Sequence, residues 1–244
     1  MVVPSAVVPS PSVVVPALSV VVPARDEAAN LPALAGRLRA AIPAAFELVI
    51  VDDHSVDGTA SVARALGAVV VERRDLVPGK GFALLEGFAH STGELVCMID
   101  ADLQYPPEAI PAMVARLSAG ADVVVANRVT HGTSAVRRAC SRLSYGLLQA
   151  LHRLNVDVQS GLKVFRRTVL DGVSVRPTGW ALDLDLLVAA NAAGYRIVGH
   201  DVTFVARRYG ETKVRLMGTG WQIARRALAL RLSPPDGSTM DRVA

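Results

Sequence analysis

Short, continuous apolar runs rich in β-branched residues recur along the chain, each followed by a polar cluster and then by apolar positions at helical spacing. The first run is Leu18 to Val22; after Pro23-Ala24-Arg25-Asp26-Glu27, residues Leu31, Leu34, Leu38, Ala41 and Ile42 mark a helical face from Asn30 onward. Leu48 to Val51 repeats the pattern and ends in Asp52-Asp53-His54-Ser55, followed by a helix over Ala60 to Leu66 and a third strand over Ala68 to Val71. Pro78-Gly79-Lys80-Gly81 opens another helical pattern (Phe82, Leu85, Phe88, Ala89), and Leu95 to Met98 is the fourth apolar run. Pro106-Pro107-Glu108 starts a helix at positions that tolerate proline, running through Ile110, Met113, Val114 and Leu117. A strand over Asp122 to Ala126 then ends in Asn127-Arg128. Runs apolar on both faces belong to buried parallel strands, so the alternation predicts an α/β chain with a mainly parallel, Rossmann-like sheet flanked by helices. Ligands in such sheets bind beyond the carboxyl ends of the strands.

The second half is less regular. Ser134 to Leu154 reads as a helix or helix pair carrying Arg137, Arg138, Arg142 and Arg153 on an otherwise apolar frame, a solvated face or one suited to anionic head groups. Gln159 to Arg167 is a loop passing into a short strand, and Gly179 opens a helix that Gly194 ends. Asp183 and Asp185 lie two apart on that helix, so they point about 200° apart and cannot both face one site. Val202 to Val205 is a further strand, followed by the basic loop Arg207 to Lys213. Trp221 to Leu232 has one basic and one apolar face, which suits an interfacial helix or one docked on the core.

Composition narrows the class. The chain is 51% hydrophobic, yet no uninterrupted apolar run is long enough to span a bilayer, so no transmembrane helix is expected. Residues 1–17 form a Pro/Ser/Val-rich leader that reads as disordered, without the basic start of a signal peptide, and residues 233–244 read as a flexible tail. Cys97 and Cys140 make no disulfide framework, which fits a reducing cytoplasm, and the histidines show no zinc spacing. Residues 1–126 carry 8 Lys+Arg against 14 Asp+Glu, whereas residues 127–244 carry 18 against 8. A basic second half points to an anionic partner: nucleic acid, a membrane surface or a phosphate-bearing substrate. Nucleic acid is disfavoured, because only 5% of residues are aromatic and none cluster for base stacking.

Candidate chemistry concentrates after the fourth run, in Ile99-Asp100-Ala101-Asp102-Leu103-Gln104. If the strand continues, alternation throws both carboxylates onto one face and makes a hard-oxygen site suited to Mg²⁺ or Mn²⁺; the alternative is two solvated acids in a turn. Asp52 and Asp53 end a second strand, so two acid pairs converge on one crevice. The glycines around Lys80 allow close backbone approach to a ligand and the lysine suits a phosphate, although neither a P-loop nor a Rossmann fingerprint is present.

Six ordered blocks, VVPARDEAANL, IVDDHSVDGT, GKGFALLEGF, IDADLQYPPE, QSGLKVFRR and ARRYGETK, resemble the family 2 nucleotide-sugar glycosyltransferases of GT-A fold. They are especially similar to dolichyl- or polyprenyl-phosphate mannose synthases. The resemblance implies one GT-A domain over residues 18–232, with a donor and metal half (18–126) and an acceptor half (127–232) ending in the basic helix. It matches Pro23, Arg25 and Glu27 to the nucleotide-holding loop and Val51 and Asp53 to base and ribose contacts; Lys80, read from its glycine loop, joins them as a donor-binding candidate. Asp100 and Asp102 match the DxD metal ligands, Ala101 backs the sugar nucleotide, and Gln104 matches a further metal-site residue. Arg128, Arg207 and Lys213 match positions contacting donor or acceptor phosphates, and Arg142 is a looser match on the acceptor phosphate.

Asp100, Asp102, Arg128 and Arg207 are therefore the expected catalytic set, with Mg²⁺ or Mn²⁺ as cofactor. The implied partners are GDP-mannose or UDP-glucose, a polyprenyl phosphate, and a membrane surface or membrane-anchoring subunit at the cytoplasmic face. Three departures stand out. Asp26 replaces the usual Asn and keeps an acceptor but no amide donor; His54 replaces Gly, which implies that no glycine-only backbone angle is needed there. The QSGLK block is equally similar to the QCGFK block of dolichyl-phosphate glucosyltransferases, whereas DADLQ leans toward mannose. Two other readings stand beside this one: transfer to a soluble hydroxyl acceptor with Asp183 as general base, and a non-catalytic nucleotide-sugar-binding scaffold.

Overall fold

A computed structural model describes residues 17–74, 77–129, 146, 150–175, 182–205 and 228–230. Its strands are β1 (Leu18–Ala24), β2 (Glu47–Asp53), β3 (Val69–Arg73), β4 (Leu95–Ile99), β5 (Val123–Val129), β6 (Leu162–Arg166) and β7 (Ile197–Thr203). Its helices are α1 (Leu31–Ala41), α2 (Thr59–Ala65), α3 (Lys80–His90), α4 (Ile110–Ser118), α5 (Arg167–Gly172) and α6 (Leu182–Ala192). The strands form one sheet in the order β3-β2-β1-β4-β6-β5-β7. β6 runs antiparallel to β4 and β5, and every other pairing is parallel.

Alternation along the strands divides the core into two layers. Val21, Val49, Val51, Met98, Val125 and Phe165 face Ala83, Leu84 and Phe88 of α3 and Leu186 and Leu187 of α6. Val20, Val22, Ile50, Cys97, Ile99 and Val164 face Leu31, Leu34 and Leu38 of α1 and Ile110, Met113 and Leu117 of α4. Burying each such side chain is worth about 1.5–3 kcal/mol, so the layers hold the carboxyl ends of β1, β2 and β4 side by side.

The apolar runs place the first four strands and their helices correctly, with the α4 segment entered through a 3₁₀ turn, Pro107–Ala109. Gly194 closes α6 at φ 84°, as the sequence implies. Three expectations change. β4 stops at Ile99, so Asp100 and Asp102 lie in the following turn and strand alternation does not orient them. β5 continues through Asn127 and Arg128 to Val129, paired along its length with β7. β7 itself is Ile197–Thr203 rather than Val202 to Val205. That strand is at the sheet edge and half exposed, so it lacks an apolar run, and a Cβ at Gly199 would stand 2.3 Å from Nδ2 of Asn127. Most of the basic helix over Ser134 to Leu154, including Arg142 and Cys140, lies outside the described residues, as does most of Trp221 to Leu232. Of the latter, residues 228–230 are helical and Leu230 is buried in the α3/α6 layer.

Candidate active site

Two loops at the carboxyl end of the sheet are sewn together by side chains. The Asp26 amide donates to Ser55 Oγ at 2.9 Å, the Glu27 amide to Thr59 Oγ1 at 2.9 Å, and the Ala28 amide to Asp57 Oδ2 at 3.0 Å. Asp26 answers by accepting the Val56 amide on Oδ1 at 2.9 Å. This bond uses the acceptor that Asp shares with Asn, so it is kept with Asp at this position. His54 has φ 66°, in the left-handed region that favours glycine, so the position does take such an angle, but one that is open to histidine and not to glycine alone. Histidine tolerates the region better than most side chains, and its Nδ1 lies 3.1 Å from Asp53 Oδ1.

The two acids ending β2 are each engaged by a residue from or just after β3. Asp52 is fully buried, accepting the Ser55 amide at 3.0 Å and Arg74 Nη2 at 2.8 Å. Asp53 accepts Arg73 Nη1 at 2.5 Å on one oxygen and the Gly79 amide at 2.7 Å on the other. The next residue, Lys80, reaches the other acid pair: its Nζ is 2.6 Å from Oδ1 of Asp100. Asp53 and Lys80 thus fix the start of α3 between the ends of β2 and β4. Burial alone would lower the Lys80 pKa, but the Asp100 and Asp183 carboxylates raise it above the ordinary lysine value. Burial raises the Asp100 pKa, with Asp102 and Asp183 adding to the rise and Lys80 opposing it.

The Asp100 turn is held from two further sides. The Asp100 amide donates to the Gly161 carbonyl at 3.0 Å, and a Cβ at Gly161 would lie 2.0 Å from Asp100 Oδ2. Only glycine leaves room for that carboxylate. Leu103 takes φ 63° with its side chain in the α1/α4 layer, a conformation costing a leucine about 1–2 kcal/mol and offset by its burial. It brings the Gln104 amide to Asp102 Oδ1 at 3.2 Å. Gln104 Nε2 donates to the Val205 carbonyl at 3.2 Å, which ties the turn to the chain leaving β7.

Asp100 and Asp102 offer carboxylate oxygens, the donor chemistry a hard divalent cation prefers, so the residues fit Mg²⁺ or Mn²⁺. Among the described residues no group of three acidic, histidine or cysteine side chains forms a metal cage.

Pro23, Ala101, Glu27, Asp53, Lys80, Asp100 and Asp102 are all placed at this end of the sheet. Val51 lies opposite Pro23 in the register and is fully buried, so it is the floor beneath the loop rather than part of its surface. Arg25 is exposed. Arg128 is held by Asp157, through Nε at 2.5 Å and Nη2 at 3.0 Å, with its guanidinium 5.5 Å from the Phe204 ring centroid. Arg207, Lys213 and Arg142 lie outside the described residues. Sequence reasoning missed the engagement of Asp52 and Asp53 by Arg74 and Arg73, the Arg128–Asp157 pair, the fit of Gly161 against Asp100, and a salt bridge between Lys163 and Asp183 at 2.5 Å. The signal for the last was a lysine inside the apolar strand Leu162-Lys163-Val164-Phe165, since a buried ammonium requires a partner.

Residues 19–173 match the model of Glycosyl transferase family 2. An uncharacterized glycosyltransferase of Mycobacterium tuberculosis (strain ATCC 25618 / H37Rv) is 38% identical over 194 residues, 78% of this chain and 85% of that protein. The dolichol-phosphate mannosyltransferase of Pyrococcus furiosus is 30% identical over 202 residues, 78% of this chain but 57% of its own length. Among solved structures, glucosyl-3-phosphoglycerate synthase from Mycobacterium tuberculosis in complex with Mn²⁺, UDP-glucose and phosphoglyceric acid superposes with a TM-score of 0.74 at 26% identity, covering 91% of this chain and 81% of that one.

Proposed function

The chain belongs to glycosyl transferase family 2, and on that premise we propose that it is a metal-dependent inverting hexosyltransferase that moves mannose from GDP-mannose onto a polyprenyl or dolichyl phosphate. The observation that carries the reading is the Asp100–Asp102 turn, set between Lys80 and Gly161 at the open end of the sheet. The 30% identity to a dolichol-phosphate mannosyltransferase supports the acceptor class and the sugar.

Asp100 and Asp102 would hold the cation. Bound there, it would supply Lewis-acid stabilisation of the departing nucleoside diphosphate. Lys80 places a second positive charge beside the same leaving group, the pre-organised electrostatic help that is usually the largest catalytic contribution. The loop from Pro23 to Glu27, fixed to Ser55 and Thr59, holds the nucleotide. A lipid phosphate is ionised at neutral pH, so its oxygen attacks the anomeric carbon without a strong general base. Attack opposite the leaving group converts an α-linked donor to a β-linked product. Arg128, with Arg142, Arg207 and Lys213 by resemblance, would position phosphates through charge-assisted hydrogen bonds.

Among the described residues no helix is long and apolar enough to cross a membrane. We propose that the chain meets its lipid acceptor as a peripheral protein at the cytoplasmic face, through its basic half or an anchoring subunit. A second reading, UDP-glucose as donor and a soluble hydroxyl acceptor, is favoured by the likeness to the glucosyl-3-phosphoglycerate synthase and by the Asp183 carboxylate near Lys80. The test is turnover of labelled GDP-mannose with Mn²⁺ and polyprenyl phosphate in the wild type, Asp100→Asn and Asp102→Asn. Both variants are expected to fold and to lose metal-dependent transfer, and full activity in either removes the basis of the reading.

A further inference from the structure

β6 is buried on both sides, yet its second residue is a lysine. Lys163 is fully buried and stands opposite Met98 of β4 and Val125 of β5, neither of which offers a partner for a charge. Its Nζ donates instead to the Ser160 carbonyl and to Oδ1 of Asp183, each at 2.5 Å. Asp183 is in the first turn of α6, where the helix dipole favours a carboxylate, and its side chain is 15% exposed. A buried ion pair is seldom worth more to stability than apolar residues of the same volume. What distinguishes this one is its neighbourhood. The Ser160 carbonyl that Lys163 also holds is one residue before Gly161, where a Cβ would lie 2.0 Å from Asp100 Oδ2, so the Lys163–Asp183 pair adjoins the Lys80–Asp100 pair, and the Asp183 carboxylate adds to the stabilisation of the Lys80 ammonium. Three carboxylates (Asp100, Asp102 and Asp183) therefore share this end of the sheet with two lysines.

We infer that Lys163 is a positioning residue: by holding the Asp183 carboxylate at 2.5 Å, it keeps that carboxylate off Lys80 and leaves Lys80 to Asp100 and the donor. The division is Lys80 with Asp100 on the donor side, and Lys163 with Asp183 on the other. Without the Lys163 charge, Asp183 is a carboxylate stranded beside a lysine. Lys80 is then a neighbouring cation that it can turn to, and Lys80 is the cation that the nucleotide-sugar diphosphate needs. The inference rests on reading this crevice as a nucleotide-sugar site, in its donor arm only.

The experiment uses the full chain as wild type, Lys163→Met, Asp183→Asn and the double variant. Lys163→Met is expected to weaken binding of GDP-mannose or UDP-glucose in the presence of Mn²⁺ by about tenfold or more, read by calorimetry. Adding Asp183→Asn is expected to return the affinity to within about threefold of wild type, because no carboxylate is left to claim Lys80. A double variant as weak as Lys163→Met overturns the inference, since a merely structural loss would not be rescued. The ligand-free crystal structure of Lys163→Met gives a second readout: the Asp183 carboxylate moved to hydrogen-bond distance of Lys80 supports the role, and an unmoved carboxylate overturns it. Should Lys163→Met fail to fold, Asp183→Asn alone decides. Donor affinity kept within about threefold supports the inference, and a tenfold loss overturns it. A wild type that binds neither nucleotide sugar overturns the functional reading, while the crystal structure still judges the positioning role.

Discussion

The Lys80 ammonium lies 2.6 Å from Oδ1 of Asp100, so one of the two carboxylates suited to a cation is engaged by the lysine that opens α3. Burial raises the Asp100 pKa and Lys80 restrains the rise. Asp100 must be ionised to hold a metal, so removing the restraint should move the acid limb of metal-dependent transfer to higher pH. Lys80→Met is expected to show that shift in a pH–rate profile, with a raised donor KM. An acid limb that stays in place or moves to lower pH would contradict the coupling.

Gly161→Ala probes the same carboxylate from the opposite side. The added methyl would lie 2.0 Å from Asp100 Oδ2, so the side chain must rotate away. Titration with Mn²⁺ should show affinity reduced by about tenfold or more, equivalent to about 1.4 kcal/mol, in a protein that still unfolds cooperatively. Unchanged affinity would mean that Asp100 is not a ligand.

Arg128 and Asp157 form a bidentate pair in which the Asp157 side chain is 6% exposed. Arg128→Ala leaves that carboxylate without the pair and is expected to cost about 3 kcal/mol in denaturant unfolding, as well as to raise the acceptor KM. Asp157→Asn also lowers stability, yet it leaves the guanidinium in place with its charge less compensated. Its acceptor KM should therefore fall or stay constant. Equal rises in acceptor KM for both variants would assign Arg128 a purely structural role.

The strands β1, β2 and β4 were legible because each is a buried run, and burial on both faces writes itself as an unbroken stretch of β-branched residues; β3, though a half-exposed edge strand, still carries Val69-Val70-Val71. β7 was displaced in the reading because an edge strand containing Gly199, His200 and Asp201 has no such run. The DxD residues were legible as types but not as geometry, since the turn after Ile99 is set by Leu103 at φ 63° and by the Gly161 contact. The partners of Asp52, Asp53 and Asp100 come from β3, the segment after it and α3, and nothing local to an acid announces which distant cation will reach it. His54 shows a different limit: a non-glycine residue rules out a glycine-only angle but not the left-handed region, which histidine does enter. His54→Gly is expected to leave the thermal midpoint unchanged or raised, through relief of about 1 kcal/mol of backbone strain; a marked fall would show that the contact to Asp53 outweighs it.

Transfer itself tests the central claim most directly. The chain would be incubated with Mn²⁺, polyprenyl phosphate and either radiolabelled GDP-mannose or radiolabelled UDP-glucose, and the products extracted into organic solvent. The account predicts label from GDP-mannose in the organic phase, lost on chelation of the metal. Label that stays in water with polyprenyl phosphate, but passes from UDP-glucose to a phosphoglycerate, would contradict it.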